Sequence, residues 1–460
     1  MEIDSGNTAW ILAAAALVLL MTPALGFFYG GLTRSKNILG TIMQSFIVIS
    51  VVGVLWVVVG YSLAFGPDAT SGLIGDLSWF GLKDVGQEPG GPNGAFYGLA
   101  VPHEAFMAFQ MMFAIITPAL ITGAFAERAK FGPFLVFMAA WSLLVYAPIA
   151  HWVFAYDGLL SAFDTTTETG LDSGINSLDF AGGLAIHVNA GVAAIAAVLV
   201  FGKRKGYGSE PMEPSNITYV VLGGALLWFG WFGFNGGSAG GANGQAANAF
   251  VVTNTAAAVA ALTWMFLAWQ FSGKASVVGA VSGAVAGLVA ITPASGFVQP
   301  MEAIAIGFFA GALCYGAVRL RSRLAFDDSL DVVGVHGVGG AWGAIATGLF
   351  ANSVVSGIDS FDGAFYGNVD QLWDQLIALA IVATYSLVAT YIILKVLDLT
   401  VGIRVSEEEE DMGLDVSQHG ERGYVLDEAI GVPLYQAPPI PVSVPGKPAP
   451  AQQQVELSNG

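Results

Sequence analysis

The sequence predicts an all-α polytopic membrane protein. Only 11% of its 460 residues are charged and 55% are hydrophobic, whereas soluble domains carry about 25% charged residues. The apolar residues fall into eleven runs of about 20, the length that crosses the hydrocarbon of a bilayer as a helix. The loops between the runs alternate in basic charge, as loops on two sides of a membrane do.

The runs cover 8–31, 41–66, 101–126, 132–154, 180–202, 217–239, 247–271, 276–293, 300–319, 332–352 and 370–399. The first is not read as a secretory leader. Met1 to Thr8 contains Glu2 and Asp4 and no basic residue, so a positive n-region is missing. Sixty glycines, many inside the runs beside Ala and Ser, suit close packing of membrane helices. Loops after spans 1, 3, 5, 7 and 9 hold Arg34, Lys36, Arg128, Lys130, Lys203, Arg204, Lys205, Lys274, Arg321 and Arg323, and Lys83 stands alone on the other side. The positive-inside rule then places the N-terminus outside and the C-terminus in the cytoplasm.

Three regions are expected: a membrane domain over 1–400, a cytoplasmic segment over 401–424 and a disordered proline-rich tail over 425–460. The cytoplasmic part opens on the acidic run Glu407–Asp411 and offers no core of its own. The 157–178 loop is acidic and expected outside. One cysteine, Cys314, leaves no disulfide framework or cysteine metal site. No cofactor is expected. A net charge of −18 argues against nucleic acid as a partner.

Of five histidines, only His187 and His336 lie well inside spans. Span 5 enters near Asp179, which places His187 about 12 Å deep at 1.5 Å per residue, and span 10 enters from the opposite face near Asp331, which places His336 about 7–8 Å deep. The two rings converge toward the midplane, each on the fifth span of a block of five. That suggests two inverted halves, spans 1–5 and 6–10, meeting at a central site. A lone intramembrane histidine can simply bridge two helices. Two at matching positions read better as a pair that shares or passes a proton.

The stretches "DFAGGLAIHVNAG" (Asp179–Gly191) and "DDSLDVVGVHGVGG" (Asp327–Gly340) resemble the twin-histidine signatures of the Amt/Mep/Rh ammonium transporter family, Amt branch. "GFFYGGLTRSKN" (Gly26–Asn37), "WFGFNGGSAGGAN" (Trp231–Asn243), "ITPASG" (Ile291–Gly296) and "DLTVGIRVSEEEEDMGLDVSQHGERGY" (Asp398–Tyr424) are similar to family motifs in the same order. The resemblance implies an eleven-span homotrimer with one narrow pore per subunit. NH3 would cross it, with or without a separately relayed proton, past His187 and His336. It implies ammonium or ammonia as substrate, methylammonium as an analogue, and a PII-type signal protein at the cytoplasmic tail. Asp179 matches a family aspartate needed for recruitment and pore integrity. Its place before span 5 also suits a helix N-cap.

Phe109 and Phe113 are four apart and share a helix face, as do Phe234 and Ser238 near the outer end of span 6. Aromatic faces attract a cation by about 0.5–2 kcal/mol each, although such stripes are more often packing or an interfacial belt. The resemblance assigns Phe113 and Phe234 to a gate above the histidines. It assigns Phe109 and Ser238 to an external ammonium site. The family usually places a tryptophan in that site at the end of span 4. This chain reads "HWVF", so Phe154 takes the place, and Trp152 falls on another helix face. Weaker external binding is expected.

Two other classes, a sensor and an intramembrane enzyme, place further demands on the sequence. A sensor signalling through its tail would need a partner, because no signalling domain follows the spans. An intramembrane enzyme would need a nucleophile or clustered carboxylates beside the histidines, and the sequence offers neither, so no enzyme activity is expected.

Overall fold

A chain this apolar closes its backbone hydrogen bonds within helices. The computed structural model describes residues 2–89, 99–162 and 174–424, and among them helices are joined only by loops and isolated bridges. Among the described residues ten helices are long and apolar enough to cross a bilayer. We label the spans in order: α1 (Ser5–Leu32), α2 (Ser35–Phe65), α3 (His103–Ala124), α4 (Phe131–Phe154), α5 (Gly183–Phe201), α6 (Ile217–Gly237), α7 (Gly244–Ser272), α8 (Val277–Ile291), α9 (Pro300–Arg323), α10 (Val333–Phe350) and α11 (Val369–Thr400). The eighth, expected over 276–293, is the short one, with 15 residues. Pro293 has no N–H to continue its ladder, and the chain turns through Thr292–Val298, which is buried in protein.

Side-chain caps set several of the starts. Asp4, Asn216, Asn243, Ser276 and Asn368 each accept a first-turn backbone N–H of the helix that follows. Glycine sets the packing. α1 lies along α6, and a Cβ on Gly223 would stand 2.4 Å from the Phe28 nitrogen, so the two backbones touch.

Residues Met1–Gly423 form one compact unit. The basic loops after α1, α3, α5 and α9 gather at one end of it. There Arg204 grips Asp327 with Nη2 at 2.8 Å and pairs with Glu127, which also holds Arg34. Burial alone would raise the Asp327 carboxyl, but the Arg204 hydrogen bonds and the charges of Arg128 and Arg204 outweigh it and hold it below the usual carboxylate range.

The segment over 401–424 carries regular structure of its own. Two short helices, α12 (Glu407–Met412) and α13 (Leu414–His419), pack onto the basic end. α12 starts with a capping box between Ser406 and Glu409. Glu410, in the acidic run, is buried and accepts from the Lys205 backbone and from Arg404. Ile403, Val405 and Leu414 are buried, Ile403 within the main hydrophobic core and Leu414 beside Gly40 at the start of α2. The expected disordered tail, 425–460, and positions 163–173 of the long loop lie outside the described residues.

Candidate functional site

Both histidines sit in π-helical turns, Gly183–Val188 in α5 and Val333–Gly337 in α10. Such turns shift a side chain off the regular helical face and recur at functional sites. α5 and α10 cross where glycine lets them touch. A Cβ on Gly191 would stand 2.2 Å from the Gly337 nitrogen, and one on Gly340 would stand 3.0 Å from the His187 Cβ.

The rings therefore meet. Their planes lie 18° apart with centroids at 5.3 Å, and Nδ1 of one is 3.2 Å from Nδ1 of the other. A hydrogen bond between two Nδ1 atoms needs the proton on only one of them. With both rings neutral, the donor ring has a bare Nε2 and the acceptor ring an Nε2–H. The pair thus carries one acceptor and one donor Nε2, and both rings border an apolar chamber lined by Met21, Leu25, Ile116, Leu120, Leu227 and Val285 among others. His187 is 1% exposed, and its Nε2 is buried without a hydrogen bond. Trp231 stacks on the ring at 5.4 Å, and Thr292 fixes the indole N–H.

Phe234 lies over His187 at 6.0 Å, and Phe113 packs on Phe234 at 4.5 Å. Phe113 also lines an open cavity of about 240 Å3 on the far side of this pair. Phe109, Phe154, Ser238 and Asp179 line the same cavity. All eight candidate residues thus fall along one line from cavity to chamber. Ser238 donates to the Phe234 carbonyl at 2.8 Å, which leaves its lone pairs to accept. Trp152 does not reach the cavity: it packs on Tyr385, and its N–H goes to the Leu73 carbonyl.

Asp179 reaches the cavity wall, but its carboxylate is occupied. Its two oxygens accept from the N–H groups of Gly182, Gly183, Leu184 and Ala185 at 2.6–3.1 Å. This is a cap on the π-turn that carries His187. No group of metal-ligating side chains occurs among the described residues.

The sequence model described as Ammonium Transporter Family matches residues 9–424. The chain belongs to the ammonium transporter family. It is 46% identical over 420 residues to the ammonium transporter of Bacillus subtilis, covering 91% of this chain and 98% of the relative. It is 46% identical over 421 residues to ammonium transporter Amt1 of Archaeoglobus fulgidus, covering 92% of this chain and all of that one. Among solved structures it superposes on Mep2 of Candida albicans with a TM-score of 0.80, at 38% identity over 89% of this chain and 88% of that one. A structure titled Sensor Amt Protein gives 0.78 at 27% identity, covering 90% and 98%.

Family membership makes this a multi-pass membrane protein of a family of transporters, not enzymes. Two members of its site were missed in the sequence. Trp231 reads as packing until its stack on His187 is seen. Asp328 accepts from the Val333 N–H at 2.8 Å, so it caps the π-turn of His336 as Asp179 caps that of His187. Both aspartates stand eight residues before their histidine, and this repeated spacing is a signal the sequence did carry.

Proposed function

We propose that the chain transports ammonium or ammonia through the line formed by the cavity, the Phe113–Phe234 pair and the His187–His336 pair. The observation that carries this reading is the histidine pair itself, two buried rings bonded to each other in a chamber that is otherwise apolar. Hydrated K+ or Na+ would have to give up its water there with nothing to replace it. Neutral NH3 loses far less, and it finds the acceptor and donor Nε2 atoms. On this reading Phe109, Phe154 and Ser238 recruit the cation at the outer cavity, and deprotonation occurs near the phenylalanine pair. Asp179 acts as a positioning residue through its cap.

The same reading gives the chain eleven spans in two inverted five-helix halves plus α11, with the N-terminus outside and the C-terminus cytoplasmic. It divides the chain into a membrane domain, 1–400, and a regulatory segment, 401–424, with a separate tail at 425–460. Three subunits would each carry a pore, and the tail would receive a PII-type protein. A sensor role is the alternative, kept because one solved relative carries that title. Current from proteoliposomes on a solid-supported membrane during an ammonium pulse tests the mechanism. A current lost in His187→Ala means that charge crosses through the pair. Uptake without current means that neutral NH3 passes alone. Ammonium binding without uptake supports the sensor and overturns transport.

A further inference from the structure

The last span, α11, contributes no side chain to the line from cavity to chamber, yet one of its faces is polar and buried. Gln371, Gln375, Ser386 and Thr390 lie on that face, with Ala378 and Val382 between them. Spacings of three and four residues make them one helical stripe. Polar side chains in an apolar unit are costly unless they are paired, so the partners of the stripe say what it is for.

Gln375 takes both backbone groups of a single residue. Its Oε1 accepts the Leu178 N–H at 3.1 Å, and its Nε2 donates to the Leu178 carbonyl at 2.7 Å. One turn earlier, Gln371 donates to the Asn176 carbonyl at 2.8 Å and Asp374 accepts the Asn176 N–H at 3.2 Å. Residues 176–178 therefore lie along α11 as a non-helical segment bonded to its side chains. The next residues, Asp179, Phe180 and Ala181, line the outer cavity, and Asp179 caps the turn of His187.

Beyond His187, the Ser386 hydroxyl donates to the Asn189 carbonyl at 2.8 Å. A helical hydroxyl can bond the carbonyl four residues back on its own helix, as those of Thr117, Thr292 and Thr347 do. Ser386 reaches across to α5 instead. Leu178 and Gln375 stand 197 positions apart, and so do Asn189 and Ser386. Eleven residues of α11 thus face the eleven that carry His187. The α11 side is regular helix, about 16–17 Å long. The other side passes through Gly182, with φ of 111°, into the π-turn Gly183–Val188. Its own backbone does not fix its length, and the anchors at its two ends do. Satisfying a non-helical backbone in an apolar unit accounts for Gln375. It does not account for Ser386, because Asn189 already opens the regular part of α5.

We propose that α11 is the template on which the His187 turn is held. Gln375 and Ser386 are positioning residues that anchor this turn from either end. They set the height of His187 against His336 and of the cavity wall above it. Neither touches substrate. The effect on transport rests on the reading given above, whereas the effect on the ring pair does not.

Solid-state nitrogen NMR of full-length, histidine-labelled protein in liposomes reads the pair without transport, because a proton shared by two Nδ1 atoms couples them. The wild type should show this coupling, and Ser386→Ala and Gln375→Met should weaken or lose it. Ammonium uptake per folded molecule should fall about two- to tenfold in both, the worth of one hydrogen bond. KM for ammonium should rise in Gln375→Met alone, because Leu178 leads into the cavity wall and Asn189 does not. If Gln375→Met does not fold, Ser386→Ala carries the test, since it removes only one hydroxyl. Variants that melt earlier yet keep the coupling, the rate and the KM of the wild type overturn the template. A wild type without the coupling overturns it too. Coupling lost while uptake is unchanged upholds the template and overturns only the route past the histidines.

Discussion

At position 154 a phenylalanine lines the cavity, and the neighbouring Trp152 is committed to Tyr385 and Leu73. The larger indole face holds a cation better, and the difference at a half-open site is about 0.5–1 kcal/mol. Phe154→Trp should therefore lower the apparent KM for ammonium about two- to fivefold at unchanged maximal rate. Initial-rate uptake in proteoliposomes checks this, and an unchanged KM would remove Phe154 from the recruitment site. Asp179 makes a different prediction, because its four accepted hydrogen bonds are charge-assisted. Asp179→Asn keeps the shape but turns one end into a donor facing N–H groups. It should destabilise the protein by about 1.5–3 kcal/mol and slow transport by misplacing His187, read as a lower melting temperature together with lower maximal rate.

At the scale of elements, the pair of histidines depends on how closely α5 and α10 approach. Gly191→Ala would place a methyl 2.2 Å from the Gly337 nitrogen, which only a backbone shift relieves. Such overpacking costs about 1–3 kcal/mol and should separate the rings. Transport should fall while cavity-side ammonium binding persists, as isotope uptake and calorimetry on one preparation would show. Most of the elements were legible in the sequence, because apolar run length and loop charge report directly on membrane crossing. α8 was overdrawn because hydropathy does not register a turn wrapped in protein. The π-turns at His187 and His336 were invisible, since one inserted residue leaves the apolar pattern unbroken. Depth counting still brought the two histidines together, because a rise per residue survives such local changes. The same counting could not tell that Asp179 is saturated by backbone donors, which depends on the turn that residues 182–185 make.

For the whole molecule, the basic end is fastened by buried ion pairs. Arg204–Asp327 closes at 2.8 Å with both side chains nearly inaccessible. Removing one partner of such a pair costs about 3–5 kcal/mol. The lowered folded-state pKa of Asp327 fixes the sign of its pH dependence. Its stabilisation is fully present above the unfolded carboxylate value of about 4 and is lost as pH falls through the folded value. Asp327→Asn should melt earlier at neutral pH and show less further loss on acidification than the wild type, as thermal melts over an acid series would record. The burial of Ile403, Val405 and Leu414 was not legible, because the surface that covers them is not next to them in the sequence.

The central claim is that ammonium crosses the membrane past two hydrogen-bonded histidines. The most direct measurement is net uptake of isotope-labelled ammonium into proteoliposomes holding the wild type, His187→Ala or His336→Ala, with ammonium binding and thermal melts recorded on the same preparations. The account predicts saturable uptake by the wild type and its loss in both variants, with binding and folding retained. Uptake that survives both substitutions, or a wild type that binds ammonium and passes none, would contradict it.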